Sequence, residues 1–124
     1  MKTVLIVDDE PAIRSMLREV LHDEGYAVIE ASNGRAMLEI VLRDRPDLVL
    51  MDVMMPGGDG RDGYRALRSQ SDLSVIPVVM MSAAVQPHGL DPSIAGFLKK
   101  PFDLNRLVAL VADLIESPTP DGVA

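Results

Sequence analysis

Acidic, hydroxyl and lysine side chains follow the apolar runs of this sequence. Asp8-Asp9-Glu10 come after "VLIV", and Asp52 comes after "PDLVLM". Ser82 follows "VIPVVMM", and Lys99-Lys100-Pro101 follow "GFL". Carboxylates brought together resist ionisation unless a cation lies among them, and Mg²⁺ fits such a place because it binds carboxylate and water oxygens. A carboxylate beside Mg²⁺ can attack phosphorus while a lysine offsets charge and a hydroxyl donates a hydrogen bond. These residue types therefore favour phosphoryl transfer through an aspartyl-phosphate.

The apolar runs predict the strands that would bring these side chains together. Most of the runs lack polar alternation, which is typical of strands buried on both faces. Segments with helical spacing separate them, and the third helix is predicted around "YRALRSQ", residues 64–70. Strands that alternate with helices predict right-handed crossovers and a parallel sheet with functional residues at its carboxyl edge. The predicted strands are residues 3–7, 26–31, 46–51, 75–81 and 96–98.

Composition and charge limit the class of protein. The chain has 124 residues, no cysteine and a net charge of −7. A domain of this length buries a core without disulfides, and a chain without cysteine needs no oxidising compartment. No apolar stretch approaches the roughly 20 residues that span a bilayer. The acidic balance argues against direct nucleic-acid binding, because the phosphates would be repelled. We therefore expect a soluble, cytoplasmic protein with no membrane insertion and no direct nucleic-acid partner.

The motifs "VLIVDDEP", "PDLVLMDVMMPGGDG", "VIPVVMMSA" and "GFLKKPF" occur in this order along the chain. From about residue 2 to 115, the chain resembles the receiver domain of bacterial two-component response regulators, of the stand-alone, chemotaxis-regulator-like type. The resemblance implies an α/β fold with a doubly wound, flavodoxin-like, five-stranded parallel sheet of strand order 2-1-3-4-5. It also implies a receiver domain over residues 1–116, which leaves 117–124 as a flexible tail or a truncated linker.

The resemblance assigns metal-binding roles to the acidic residues. Asp52 would be the phosphoacceptor and a metal ligand. Asp8 and Asp9 would be the metal-binding pair, with Asp9 the direct ligand and Asp8 acting through water. The backbone carbonyl of Met54 would be a further ligand. The implied cofactor is Mg²⁺, with Mn²⁺ as an alternative.

The same resemblance assigns catalytic and switching roles near the end of the chain. Ser82 would be both a catalytic hydroxyl and the switch hydroxyl. Lys100 would be the catalytic lysine, joined to Pro101 by a cis peptide bond, while Lys99 is interpreted as a solvated neighbour. Phe97 would be the aromatic residue that moves inward when Ser82 is drawn to the phosphoryl group.

The implied activity is a phosphorylation switch that catalyses its own phosphorylation and dephosphorylation and is not a dedicated enzyme. The phosphoryl donor would be a sensor histidine kinase or a histidine phosphotransfer protein. The output would be a contact with a downstream protein, made by a monomer or a weak, phosphorylation-linked dimer. The sequence leaves open whether the chain is complete or is part of a longer regulator or hybrid kinase.

Two alternatives start from the same residues. A phosphatase of the haloacid dehalogenase type also forms an aspartyl-phosphate, but its second acidic position is occupied here by Met54, in "DVM". A degenerate receiver that acts by protein binding alone would not need the complete set of site residues. Uptake of a phosphoryl group from a small phosphodonor separates these alternatives.

The segment between the fourth and fifth strands departs from the resemblance. Pro87, Gly89 and Pro92 lie between Ser82 and Lys100, where a crossover helix is expected. The segment is also about one helical turn shorter than is usual in the family. We therefore predict that the fourth helix is shortened or irregular, with weak amide protection over residues 84–95.

Overall fold

The computed structural model describes residues 1–55, 60–83 and 90–116. Its strands form one parallel sheet of order β2-β1-β3-β4-β5, which confirms the predicted fold. The strands are β1 Thr3–Val7, β2 Ala27–Ala31, β3 Leu48–Asp52, β4 Val78–Ser82 and β5 Gly96–Lys99. The helices within the described ranges are α1 Pro11–Asp23, α2 Gly34–Asp44, α3 Gly60–Arg68 and α4 Leu104–Glu116. None of these helices is long and apolar enough to cross a membrane.

The sheet separates two apolar layers. Strands β3 and β4 are buried along their whole length, and β1 is buried from its second residue. One layer contains Met37 and Val41 of α2 with Tyr64 of α3. The opposite layer contains Leu17 of α1 and Leu107 of α4. Helices on both faces explain why the central strands carry apolar residues without alternation.

Individual residues determine where the first two helices begin or end. Pro11 is the first residue of α1, where its missing N–H costs no helical hydrogen bond. Gly25 follows α1 with φ +94°, a conformation that favours glycine. The side chain of Asn33 caps α2 by accepting a hydrogen bond from the N–H of Ala36 at 2.8 Å.

Helix α3 begins at Gly60, earlier than the sequence predicted, and ends at Arg68. The N–H of Gly60 donates to the carbonyl of Val53 at 2.7 Å, which draws the start of the helix onto the end of β3. A Cβ atom on Gly60 would lie 2.4 Å from the carbonyl oxygen of Asp52. The close approach therefore requires glycine at this position.

The crossover between β4 and β5 is described from residue 90 onward, and residues 84–89 lie outside the described ranges. Residues 90–95 form turns and no helix, in agreement with the predicted irregular crossover for this part. The N–H of Ile94 donates to Asp91, and the N–H of Ala95 donates to Val78 at 2.9 Å. The sequence predicted a strand over residues 75–81, but β4 begins at Val78, directly after Pro77, which has no N–H to donate to a neighbouring strand.

Side-chain hydrogen bonds attach this crossover to α3. Arg68 Nε donates to the Tyr64 hydroxyl at 2.7 Å, and that hydroxyl lies 2.6 Å from Ser93 Oγ. Ser93 Oγ donates to Asp91 Oδ1 at 2.7 Å. Because the single proton of Ser93 Oγ is used on Asp91, the Tyr64 hydroxyl is the donor to Ser93. The hydrogen bonds thus run in one direction, from the Arg68 cation to the Asp91 anion.

Candidate functional site

The sheet register brings the predicted site residues to one edge. Asp8 follows the last residue of β1, which lies opposite the last-but-one residue of β3, and Asp52 ends β3. Ser82 ends β4 opposite the last residue of β5. Lys100 comes next and donates its backbone N–H to the carbonyl of Ser82 at 2.9 Å. The parallel arrangement therefore gathers side chains from distant parts of the chain.

Three carboxyl groups form a cluster that could hold a metal ion. One oxygen from each of Asp8, Asp9 and Asp52 lies within 4.8 Å of the others. Asp8 is buried, Asp9 is half-buried, and Asp52 is 5% exposed. Mg²⁺ binds carboxylate and water oxygens, so this donor set fits such an ion. The side chains predicted as metal ligands are thus brought together.

Both carboxylate oxygens of Asp8 already accept hydrogen bonds. Oδ1 accepts from the N–H of Glu10 at 2.9 Å, and Oδ2 accepts from Lys100 Nζ at 2.9 Å. A direct metal bond from Asp8 would compete with these donors. Which of the three carboxylates would bind an ion directly and which through water stays a prediction.

Lys100 lies between two of the carboxylates. Its Nζ is 2.9 Å from Asp8 Oδ2 and 3.5 Å from Asp52 Oδ2. Burial lowers the pKa of Lys100, but the hydrogen bond and charge of Asp8, with those of Asp52, outweigh burial and raise the pKa overall. The ammonium group therefore stays charged and offsets part of the carboxylate charge. The Lys100–Pro101 peptide bond is cis, as predicted.

Burial raises the pKa of Asp52 to about 6. The positive charge of Lys100 lowers that pKa, the negative charge of Asp8 raises it, and the backbone N–H of Met54 lowers it by hydrogen bonding. Removal from water is the largest of these effects, and it disfavours the ionised carboxylate. A cation bound beside Asp52 would favour ionisation.

Two adjoining cavities open at this edge. The smaller, of about 170 Å³, is lined by Glu10, Asp52, Met54, Ser82, Ala83 and Lys100. The larger, of about 450 Å³, is apolar and is lined by Ile13, Met16, Ala83, Lys100, Pro101, Phe102 and Leu104. Ala83 and Lys100 line both cavities, so the larger cavity forms an apolar groove beside the cavity that Asp52 lines.

The remaining predicted site residues lie around the smaller cavity or near it. Ser82 is buried and lines the cavity together with Asp52. The side chain of Met54 is 51% exposed at the rim. Phe97 of β5 is half-buried and packs against the layer that contains Tyr64. The switching role of Phe97 and the metal-binding role of the Met54 carbonyl stay predictions.

Sequence reasoning missed two residues that contact the site. Arg14 Nη1 donates to the backbone carbonyl of Asp8 at 2.6 Å, and Gly60 packs on the carbonyl of Asp52. Arg14 comes one helical turn after the acidic run, and its N–H donates to the carbonyl of Glu10. This spacing of one helical turn was the sequence feature that could have indicated that Arg14 lies beside the acidic run.

The strand order defines a flavodoxin-like α/β protein. Its acidic cluster lies at the carboxyl ends of β1 and β3, where the order of the strands reverses, and this is the usual place of a functional site in such sheets. The response regulator receiver domain family matches residues 4–112 of the chain. The chain therefore belongs to the response regulator receiver domain family. This assignment removes the haloacid dehalogenase alternative.

Relatives and solved structures agree with the family. The chain is 40% identical over 125 residues to the response regulator MprA of Mycolicibacterium vanbaalenii, covering 98% of this chain and 53% of that protein. The MprA protein of Mycobacterium leprae is also 40% identical, and the match covers 98% of this chain and 54% of that protein. The chain thus spans about half the length of these curated relatives.

Among solved structures, the signal receiver domain of a histidine kinase from Syntrophus aciditrophicus matches with a TM-score of 0.88 and 31% identity. The match covers 97% of this chain and 94% of that chain. The chemotaxis protein CheY4 of Vibrio cholerae matches with a TM-score of 0.84 and 32% identity, and the match covers 92% of this chain and 98% of that chain.

Proposed function

We propose that this receiver accepts a phosphoryl group on Asp52 from a phosphohistidine partner and then changes its contacts with a downstream protein. The cluster at the carboxyl edge carries the proposal. Lys100 Nζ lies 3.5 Å from Asp52 Oδ2, and oxygens of Asp8 and Asp9 lie within 4.8 Å of an Asp52 oxygen. Such a set combines a nucleophile, a counter-charge and oxygen donors for a cation.

The transfer step needs the ionised form of Asp52. A carboxylate oxygen attacks phosphorus, the bond from phosphorus to the histidine nitrogen breaks, and the nitrogen keeps the electron pair. With a pKa of about 6, the ionised form outnumbers the protonated form by about ten to one at pH 7. In hydrolysis, water attacks phosphorus and the Asp52 carboxylate leaves. Ser82 would donate a hydrogen bond to a phosphoryl oxygen, and Lys100 would offset its charge.

The proposed cofactor is Mg²⁺, with Mn²⁺ as an alternative. Asp9, Asp52 and the Met54 carbonyl would hold the ion directly, and Asp8 would hold it through water. When bound, the ion neutralises oxygen charge on the phosphoryl group. The occupied hydrogen bonds of both Asp8 oxygens support this division of roles.

The partner in this proposal is a histidine kinase or a histidine phosphotransfer protein docked in the apolar groove. The groove shares Ala83 and Lys100 with the cavity that contains Asp52. A donor must bring its phosphohistidine within bonding distance of the Asp52 oxygen, so apolar side chains beside that cavity suit the contact surface. Ile13 and Met16 of α1 with Leu104 of α4 supply these side chains.

The output in this proposal is a population shift between two surface arrangements. Ser82 would move toward the phosphoryl group, and Phe97 would move inward as space opens. The receiver domain would comprise residues 1–116, and the predicted tail 117–124 lies outside the described ranges. We retain the monomer or weak dimer as the expected state. We also retain the cytoplasm as the location, because a chain without cysteine needs no oxidising compartment.

Incubation with a small phosphodonor and Mg²⁺, followed by intact mass measurement, tests the proposal. The wild-type chain should gain one phosphoryl group, and chelation of the metal should prevent the gain. Asp52→Ala should not gain it, whereas Asp62→Ala, at an exposed position of α3, should behave as wild type. No gain by wild type would favour the degenerate receiver, and equal gain by Asp52→Ala would refute Asp52 as the acceptor.

A further inference from the structure

Arg14 contacts the backbone of the acidic pair from the first helix. Its Nη1 donates to the carbonyl oxygen of Asp8 at 2.6 Å, and its Nε donates to Glu30 Oε1 at 3.1 Å. The side chain of Arg14 is 18% exposed, so both contacts are shielded from most of the solvent. This guanidinium therefore links α1, β2 and the residue that follows β1.

Glu30 holds the Arg14 guanidinium in place. It is the last-but-one residue of β2, a strand of the sheet, so its backbone is fixed by strand pairing. Its second carboxylate oxygen lies 3.2 Å from Arg18 Nη1, one turn further along α1. A carboxylate held between two arginines has little freedom to turn. The planar fork of Arg14 then directs its remaining donors toward Asp8.

The bond from Arg14 fixes the peptide group from which Asp9 projects. The carbonyl of Asp8 and the N–H of Asp9 belong to one planar peptide group. On its other side, the N–H of Asp8 donates to the carbonyl of Ala31 at 3.1 Å. The backbone that leads into Asp9 is therefore held at two successive peptide groups, by the end of β2 and by Arg14.

Arg14 acts on the site through a backbone carbonyl and not through the carboxylates of the cluster. The Asp8 carboxylate is already occupied by Lys100 and by the N–H of Glu10. The guanidinium of Arg14 forms its ion pair with Glu30, which lies outside the cluster. The contribution of Arg14 is therefore geometric, and a lysine that keeps the charge without the planar fork would not replace it.

We propose that Arg14, oriented by Glu30, is a positioning residue that holds the peptide group before Asp9 and thereby sets the metal-binding geometry of the acidic pair. This inference rests on the proposed metal-dependent function. Groups that orient metal ligands affect metal affinity even though they do not touch the ion.

A magnesium titration of the full chain, followed by backbone amide NMR shifts, tests the role. Arg14→Lys should weaken magnesium binding about tenfold relative to wild type. The matched control is Arg43→Lys, which alters an exposed ion pair with Asp44 on α2 and should leave the affinity unchanged. Before magnesium is added, the Asp9 amide of Arg14→Lys should already be shifted, because the peptide group before it has lost its donor.

A second readout separates positioning from loss of stability. Arg14→Lys should need about tenfold more magnesium than wild type to reach half of its own maximal rate of phosphoryl uptake from a small phosphodonor, because its metal affinity is lowered. Glu30→Gln should also weaken magnesium binding and serves as the second variant if Arg14→Lys does not fold. Wild type that binds no magnesium would overturn the proposed function itself. Wild-type binding with unchanged affinity in both variants would overturn only the role of Arg14.

Discussion

The burial of the Asp52 carboxyl group has opposite consequences for stability and reactivity. Its pKa rises from 3.8 to about 6 on folding, mainly because the charged form loses water. The folded state therefore binds this proton more tightly than the unfolded state, and stability from this group is lost as the pH rises through about 6. In the proposed function, the same burial would make the ionised oxygen a stronger nucleophile toward phosphorus.

We expect Asp52→Asn to stabilise the metal-free chain at pH 7. The neutral amide avoids the cost of ionising a buried carboxyl group, which is on the order of 3 kcal/mol for a pKa raised from 3.8 to about 6. Urea unfolding at pH 7 and pH 4, without divalent cations, measures the effect. The gain should shrink at pH 4, where Asp52 is protonated in the folded state. An equal gain at both pH values would contradict the raised pKa.

Strand-end residues were predictable from the sequence, but their supporting contacts were not. An apolar run marks where a strand ends, so the order of residue types along the chain is enough to place Asp8, Asp52 and Lys100 at one edge. Arg14 and Glu30 are 16 positions apart, and their contact depends on how α1 lies over β2. No local pattern of residue types encodes that side-chain geometry.

At the scale of elements, Gly60 fixes how α3 leaves the end of β3. A Cβ atom there would meet the carbonyl of Asp52 at 2.4 Å and the Cα of Val53 at 3.1 Å, and both are backbone atoms. Gly60→Ala should therefore lower the free energy of unfolding by about 2 to 3 kcal/mol and slow phosphoryl uptake by displacing Asp52.

Gly63→Ala is the matched control for Gly60 within the same helix. Its added Cβ would meet Met37 Cε at 3.1 Å, which is the end of a flexible side chain that can move. We expect a change in unfolding free energy of less than about 1 kcal/mol, because alanine also favours the helix. Chemical unfolding compares the two variants. Equal losses of unfolding free energy in the two variants would show that the close backbone contact of Gly60 does not make its substitution more costly.

The hydrogen-bonded link from α3 to the crossover gives a second prediction at this scale. Tyr64→Phe removes the hydroxyl that joins Arg68 to Ser93, while the Arg68 guanidinium remains 4.7 Å from the ring centroid. We expect a loss of about 1 to 2 kcal/mol of unfolding free energy. Amide exchange should accelerate over residues 93–95, because the segment loses its attachment to α3.

Tyr26→Phe provides the comparison for Tyr64→Phe. It removes a hydrogen bond of similar kind, from the Tyr26 hydroxyl to Glu116 Oε2 at 3.1 Å, on the opposite layer of the sheet. Its exchange rates over residues 93–95 should equal those of wild type after correction for global stability. If both variants accelerate exchange there to the same extent, the attachment has no local effect.

The crossover shows which features of an element the sequence could predict. Prolines and a shortened spacing predicted an irregular connection, and residues 90–95 have no helix. The contact of Tyr64 with Ser93 was not predictable, because it joins residues 29 positions apart through their hydroxyl groups. The early start of α3 was also missed, since it follows from close packing of Gly60 on β3.

At the scale of the whole molecule, the apolar groove should distinguish protein donors from small ones. Leu104→Glu places a charge in the groove at a residue that is 37% exposed, so the fold should tolerate it. Phosphotransfer from a phosphohistidine protein should fall at least about tenfold, because an apolar contact is replaced by a hydrated charge. Uptake from a small phosphodonor should stay unchanged.

Leu42→Glu is the control for the groove. Leu42 is 46% exposed on α2, a helix that contributes no residue to either cavity. Both donors should phosphorylate this variant at wild-type rates. Equal inhibition by the two substitutions would assign the effect to net charge, and no inhibition by Leu104→Glu would exclude the groove as the docking surface.

The hydrogen bond between Lys100 Nζ and Asp8 Oδ2 joins residues that are 92 positions apart. During synthesis on the ribosome, Asp8, Asp9 and Asp52 emerge before the lysine that offsets their charge. A nascent or truncated chain that lacks β5 therefore has the acidic residues without the finished site. The charge balance of the three carboxyl groups therefore depends on a lysine that directly follows the last strand, so a chain that stops before residue 100 would carry these acids without it.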